Sequence, residues 1–189
     1  VALFYEDFLI EDDQGRYCFV PSMSPENTPA DSEGFHAATV NATMDVAVAR
    51  EVLSNLCAAC AELDIEEESV PRWREVLSRL PEYEINEDGA LREWLWPGMK
   101  DNYHHRHQSH IYPLFPGFEV TEEEARELFE AARVAVEKRL VIGLNSQTGW
   151  SLAHMANIYA RLGDGERALE CLELMLQACT GPNLFAYHN

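Results

Sequence analysis

Basic residues are scarce in this chain: 14 Lys and Arg stand against 33 Asp and Glu, a formal net charge of −19. Phosphate neutralisation needs clustered cations, and the few present are scattered, so neither nucleic acid nor an anionic membrane surface is an expected partner. Long apolar runs are missing as well. No stretch approaches the length of a membrane-spanning helix, and no charged-then-apolar leader opens the chain. The five cysteines, Cys18, Cys57, Cys60, Cys171 and Cys179, are odd in number and lack a spaced framework, which argues against a small disulfide-stapled domain. Cys57 and Cys60 do form a C-x-x-C, but inside a helical pattern. A redox motif needs a strand-to-helix turn and a depressed thiol pKa, so buried, inert thiols are expected instead.

What remains suffices for a core: 189 residues, 47% of them hydrophobic, predict one ordered domain. The chain opens at Val1 within an apolar pattern and closes at Leu184-Phe185-Ala186-Tyr187-His188-Asn189 without a polar tail. Domain boundaries usually fall in polar linkers, so the expectation is a segment cut at both ends from something larger.

Phe4, Tyr5, Phe8 and Leu9 recur at helical spacing and predict a helix ending at Asp12-Asp13-Gln14-Gly15, followed by an extended run over 17–20 and a Pro- and Ser-rich loop over 21–34. From about Asn41 a long amphipathic helix is predicted to turn Met44, Val48, Val52, Leu56, Cys60 and Leu63 inward. Ser69 and Pro71 open another with Trp73, Val76, Leu77 and Leu80 on one side, and Pro81 stops it. Glu87-Asp88-Gly89, between two partly alternating runs within 83–96, predicts a small hairpin. Thr121 and Glu124 form a capping-box pattern for a helix carrying Ala125, Leu128, Phe129, Ala132, Val136 and Leu140 on one stripe, closed by Gly143. Helices over 148–162 and 166–177 complete the pass. The architecture implied is all-α, antiparallel helix pairs interrupted by long loops. The last pair would suit a tetratricopeptide-like repeat, but no second copy follows at the period of about 34 residues, so a solenoid is the weaker fit.

Four of the seven histidines, His104, His105, His107 and His110, fall within seven positions, followed by the aromatic, proline-rich run from Tyr112 to Phe118. Such a cluster is too polar for a core and too rich in ring nitrogens for an ordinary solvated loop, so it reads as the wall of a pocket. Three readings compete. His105, His107 and His110 could ligate a metal, although no cysteine or carboxylate stands at a recognisable ligand spacing. The loop could simply hydrogen-bond itself. Or its imidazoles and Arg106 could donate to the hydroxyls of a sugar-like substrate. Aromatic residues near these loops, Trp94, Trp96, Tyr103, Tyr112 and Trp150, favour the third reading, because flat rings suit the C–H faces of sugars. Core packing is the commoner duty of any one ring. Trp150, at a helix start beside Thr148 and Gly149, is best placed to project into a cleft.

Pro21-Ser22-Met23-Ser24-Pro25-Glu26-Asn27-Thr28-Pro29 holds one carboxylate in a stiff, non-helical loop. That is what a general acid needs, and an ordinary solvent-facing Glu26 in a Ser-Pro turn is the bland alternative.

Taken together, Ser24-Pro25-Glu26-Asn27, Leu91-Arg92-Glu93-Trp94, His105-Arg106-His107-Gln108-Ser109-His110, Thr148-Gly149-Trp150-Ser151 and Ala160-Arg161-Leu162-Gly163-Asp164-Gly165 resemble glycoside hydrolase family 95 in order and approximate spacing, over nearly the whole chain. The family's best-known members are 1,2-α-L-fucosidases. The resemblance implies part of an (α/α)6 barrel, a fucosylated oligosaccharide as substrate, and inverting hydrolysis with no cofactor or metal. It matches Glu26 to the general acid and Arg106 and His107 to sugar-binding positions, extended here to His110 and Trp150; Asn27 would anchor the loop. Two departures stand out: the family's water-activating asparagines and aspartate have no counterpart here, and Ala186 replaces an Asp usual in the Asn-Leu-Phe-Asp-x-His run. The isolated segment is therefore expected to be inactive. A non-catalytic helical-pair module that binds carbohydrate or serves as a scaffold is the rival reading.

Overall fold

The computed structural model describes residues 1–32 and 38–187, so Glu33 and Gly34 of the predicted loop and His188 and Asn189 of the terminal run lie outside the described residues. Six helices dominate: α1 (Ala2–Phe8), α2 (Thr43–Leu63), α3 (Val70–Ser78), α4 (Arg126–Ile142), α5 (Gly149–Arg161) and α6 (Gly165–Ala178). One small antiparallel ladder joins β1 (Ile10–Glu11) to β2 (Tyr17–Cys18). The all-α expectation therefore holds, with α2 packed on α3 and α5 on α6 as neighbours joined by short connections.

Two hydrophobic clusters carry the molecule. The first gathers Tyr5, Phe19, Val46, Leu53, Trp73, Val76 and Leu80 around α1, α2 and α3. The second gathers Leu91, Ile111, Leu114, Phe129, Val136, Leu152, Met155, Ile158 and Tyr159 around α4, α5 and α6. Each large apolar side chain buried this way stabilises by about 1.5–3 kcal/mol before its ordering entropy is subtracted. Tyr83 packs against both clusters. The polar loops that concern function run along the seam between them.

Several local expectations need correction. The first helix stops at Phe8, not at the Asp12 turn, because the Asp12 carboxylate accepts from the Gln14 and Arg16 backbone N–H groups at 2.9 and 2.8 Å. This side-chain turn competes with the helix and, with Gly15 at φ 75°, reverses the chain into the β1–β2 hairpin. The hairpin predicted over 83–96 shrinks to one bridge, Ile85 with Leu91, since its arms pair elsewhere: Trp94 bridges Ala42, and the Leu91 N–H donates to the Ala131 carbonyl. On α2 the buried face is Val46, Ala49, Leu53, Cys57 and Cys60. Met44, Val48, Val52 and Leu56 lie half-buried at its flank and Leu63 is exposed. A stripe counted by large side chains overlooks the alanines, which sit where neighbouring elements approach most closely. The Thr121 hydroxyl does accept from the Glu124 N–H, at 3.3 Å, but in a turn that precedes α4.

The C-x-x-C thiols are both buried on α2 and unpaired, as all five cysteines are. No helix among the described residues is long and apolar enough to cross a membrane.

Candidate active site

Two loops meet at the seam. One spans residues 22–28 and is tied to the first turn of α2, where Asp45 Oδ2 accepts from the Ser22 hydroxyl at 2.6 Å and the Met23 N–H at 3.1 Å. The other spans 101–117 and contains a single 3₁₀ turn, Ser109–Ile111. Direct bonds stitch them: the Asn27 side-chain amide donates to the Asn102 carbonyl at 2.9 Å, and the Ser109 hydroxyl donates to the Pro25 carbonyl.

Beneath both lies Glu93, only 1% exposed. Its Oε1 accepts from the Ser24 hydroxyl and its Oε2 from the Asn27 amide, each at 2.7 Å, so the residues on either side of Pro25-Glu26 hang from one carboxylate. The same Oε2 takes Arg139 Nη2 at 2.7 Å, and Arg139 Nη1 reaches the carbonyl of His107. Withdrawing both charges from water costs several kcal/mol per ion, and only a dense set of directed bonds offsets it. Gly143, just past α4, lets the second loop pass close by: a Cβ there would stand 2.7 Å from the Tyr103 and Arg139 carbonyl oxygens. Gln147 fills the same corner, donating to the Gly143 carbonyl at 3.1 Å.

On top of this floor, Glu26 Oε2 lies 2.5 Å from Arg106 Nη2 and 3.4 Å from His107 Nε2. Both contacts fall on one oxygen, and the Glu26 side chain is 56% exposed. The carboxyl borders an open groove of about 420 Å3. Its other walls are His107, Gln108 and Ser109 from the second loop, Tyr112, Phe115 and Pro116 behind them, Trp150 and His154 from α5, and Met44 from α2. A groove with an apolar lining and a few convergent polar groups is the ordinary form of a small-molecule site. Trp150, 68% exposed, sits at the start of α5, where Thr148 and Ser151 form a reciprocal capping box that fixes the helix end.

His105, His107 and His154 are shifted toward the neutral form by their surroundings. Burial, with Arg139 next, pushes His105 down to about 4. His107 is lowered by burial and then by Arg106, against the pull of Glu26. Burial also lowers His154. A neutral imidazole offers one donor and one acceptor, which suits a sugar hydroxyl better than an imidazolium does.

The fold thus brings Glu26, Arg106, His107 and Trp150 to one place. His110 does not join them: it is 1% exposed, with Nδ1 3.8 Å from Glu93 Oε1, because the 3₁₀ turn rotates it into the floor. It therefore does not line the groove. His105, His107 and His110 likewise do not converge, and no group of three His, Cys, Asp or Glu side chains among the described residues is arranged to hold a metal. Of the aromatic candidates, Tyr112 and Trp150 line the groove, whereas Trp94 is fully buried and Trp96 and Tyr103 face other depressions. Sequence reasoning missed His154, which stands one helical turn beyond Trp150 and so shares its face. It also missed Arg139, although a charged residue on the buried stripe of α4 beside Val136 and Leu140 is itself a signal that a buried partner exists.

Comparison with known proteins bears on what this arrangement is. The chain is 33% identical over 167 residues to alpha-L-fucosidase 2 of Arabidopsis thaliana, a match covering 87% of the chain and 19% of that relative. The chain thus spans about a fifth of the length of the curated relative it matches. The glycosyl hydrolase family 95 catalytic domain matches residues 1–189 throughout, and the helix pairs are those of a section of an (α/α)6 barrel. Match and motifs agree along the entire chain, which belongs to glycosyl hydrolase family 95.

Proposed function

We propose that the protein carrying this chain is an inverting, metal-independent glycoside hydrolase that removes terminal α-L-fucosyl or α-L-galactosyl residues from oligosaccharides, with Glu26 as general acid. The observation that carries this reading is the convergence of Glu26 with Arg106 and His107, at 2.5 and 3.4 Å, on the rim of an aromatic groove. Family membership and the fucosidase named above support the substrate class.

In the reaction, the Glu26 carboxyl gives its proton to the glycosidic oxygen as the bond from that oxygen to the anomeric carbon breaks. Water attacks the opposite face of the sugar and loses a proton to a base. Arg106 and His107 grip hydroxyls, and Trp150 covers a C–H face of the ring. Glu26 is the single carboxylate among the described residues lining the groove. An inverting enzyme needs a water-activating partner about 6.5–9.5 Å from the acid. On this reading that partner is supplied from outside this segment, and the 189-residue segment alone is expected to be inactive.

Replacing Glu26→Gln in the protein that carries this chain tests the assignment. Expected is a loss of kcat of about 10²–10⁴-fold on a 2′-fucosylated oligosaccharide, with KM nearly unchanged. Unaltered hydrolysis would favour the non-catalytic binding module instead.

A further inference from the structure

We propose that Glu93 and Arg139 are positioning residues that set the separation between the proton donor and the sugar-gripping loop; the inference rests on the general-acid reading of Glu26. Neither residue lines the groove. Yet Glu93 holds Ser24 and Asn27, which bracket Pro25-Glu26, and Arg139 links that same carboxylate to the carbonyl of His107. A buried path thus runs from acid to grip, with the Glu93 carboxylate at its centre.

A buried ion pair is a poor device for stability alone. Two apolar side chains of similar volume would hold a helix end against a loop as well or better. What they could not supply is directed bonding to two loops at once, with angles as well as distances fixed. Glu93 is further restrained along its backbone, since its N–H donates to Asp101 Oδ1 at 2.8 Å and its carbonyl accepts from the Thr43 N–H at 3.0 Å. The start of α2, the Asp101 loop and the last turn of α4 thus share one reference point. Such restraint matters because proton transfer to a leaving oxygen tolerates little error: displacement of about 1 Å can cost about 10²-fold in rate.

The test compares Glu93→Gln and Ser24→Ala in the protein that carries this chain, each assayed on two substrates. A 2′-fucosylated oligosaccharide has a poor leaving group that must be protonated, whereas a nitrophenyl fucoside leaves with little help. Glu93→Gln is expected to lower kcat on the oligosaccharide by about 10²-fold, with a much smaller loss on the nitrophenyl substrate and little change in KM. Ser24→Ala removes one hydrogen bond and should give the same pattern at about three- to tenfold.

Equal losses on both substrates, or a loss confined to KM, would overturn the proposal. If Glu93→Gln fails to fold, Ser24→Ala decides by the same criterion. Glu26→Gln run alongside separates the two ideas. Should it lack any leaving-group dependence, the general-acid reading fails; should it show that dependence while both floor variants do not, only the positioning role fails.

Discussion

The floor and the wall of the groove are built on opposite principles. The floor, formed by Glu93, Arg139, Ser24, Asn27 and His110, is polar and almost dry; the wall, formed by Trp150, Tyr112, Phe115 and His154, is largely apolar and only partly buried. Charge is buried beneath the groove, and apolar surface is left accessible where the proposed sugar would lie. On the proposed reading the inversion separates two duties: a directed network would fix geometry, and non-directional surface would collect a ligand without demanding one orientation in advance.

Arg139→Met offers the hardest test of this contrast. It leaves the Glu93 charge buried without its cation, and should destabilise the chain by about 3–5 kcal/mol in urea unfolding. A loss below about 1 kcal/mol would show that water or relaxation fills the gap, and the floor would be no stiffer than the wall. Trp150→Ala probes the other side. It should raise KM by about three- to tenfold and leave stability within about 0.5 kcal/mol, since the ring is mostly exposed. A large stability cost would mean that the wall is core after all.

A further test reads the pH dependence. His105 takes its proton near 4 when folded and near 6.5 when unfolded, and His107, His110 and His154 are lowered in the same direction. The unfolded chain therefore binds more protons across that window, so stability falls as pH drops from about 6.5 to about 4. For His105 the loss is complete below its folded value. Melting temperatures across this range should decline, and His105→Gln should flatten the decline; an unchanged slope would remove His105 from the account.

The second loop was legible as a pocket wall because its signal is local, imidazoles in a row with aromatics behind, whereas Glu26 was singled out by the family resemblance, since a carboxylate among prolines reads equally as a surface Glu. The floor was not legible. Glu93 reaches partners 69, 66 and 46 positions away, and no periodicity encodes such spacing. Arg139 was the exception that could have been found, since a guanidinium on an apolar stripe demands a counter-charge. Trp94 and His110 were misplaced for a common reason: adjacency in sequence to a loop residue does not determine which side of the backbone a side chain leaves. The helix pairs were predicted well, while helix ends drifted where an Asp12 turn or an alanine-rich face outweighed the pattern of large residues.

The wide spacing of the contacts to Glu93 also bears on how the protein assembles. Loops of some 46 to 69 residues must close before the carboxylate meets its donors, and that entropy is lost before any bond compensates it. The α5–α6 pair, built from neighbours in sequence, can form early. The bonds that fasten the segment bearing Glu26 form only where residues far apart in the chain are brought together.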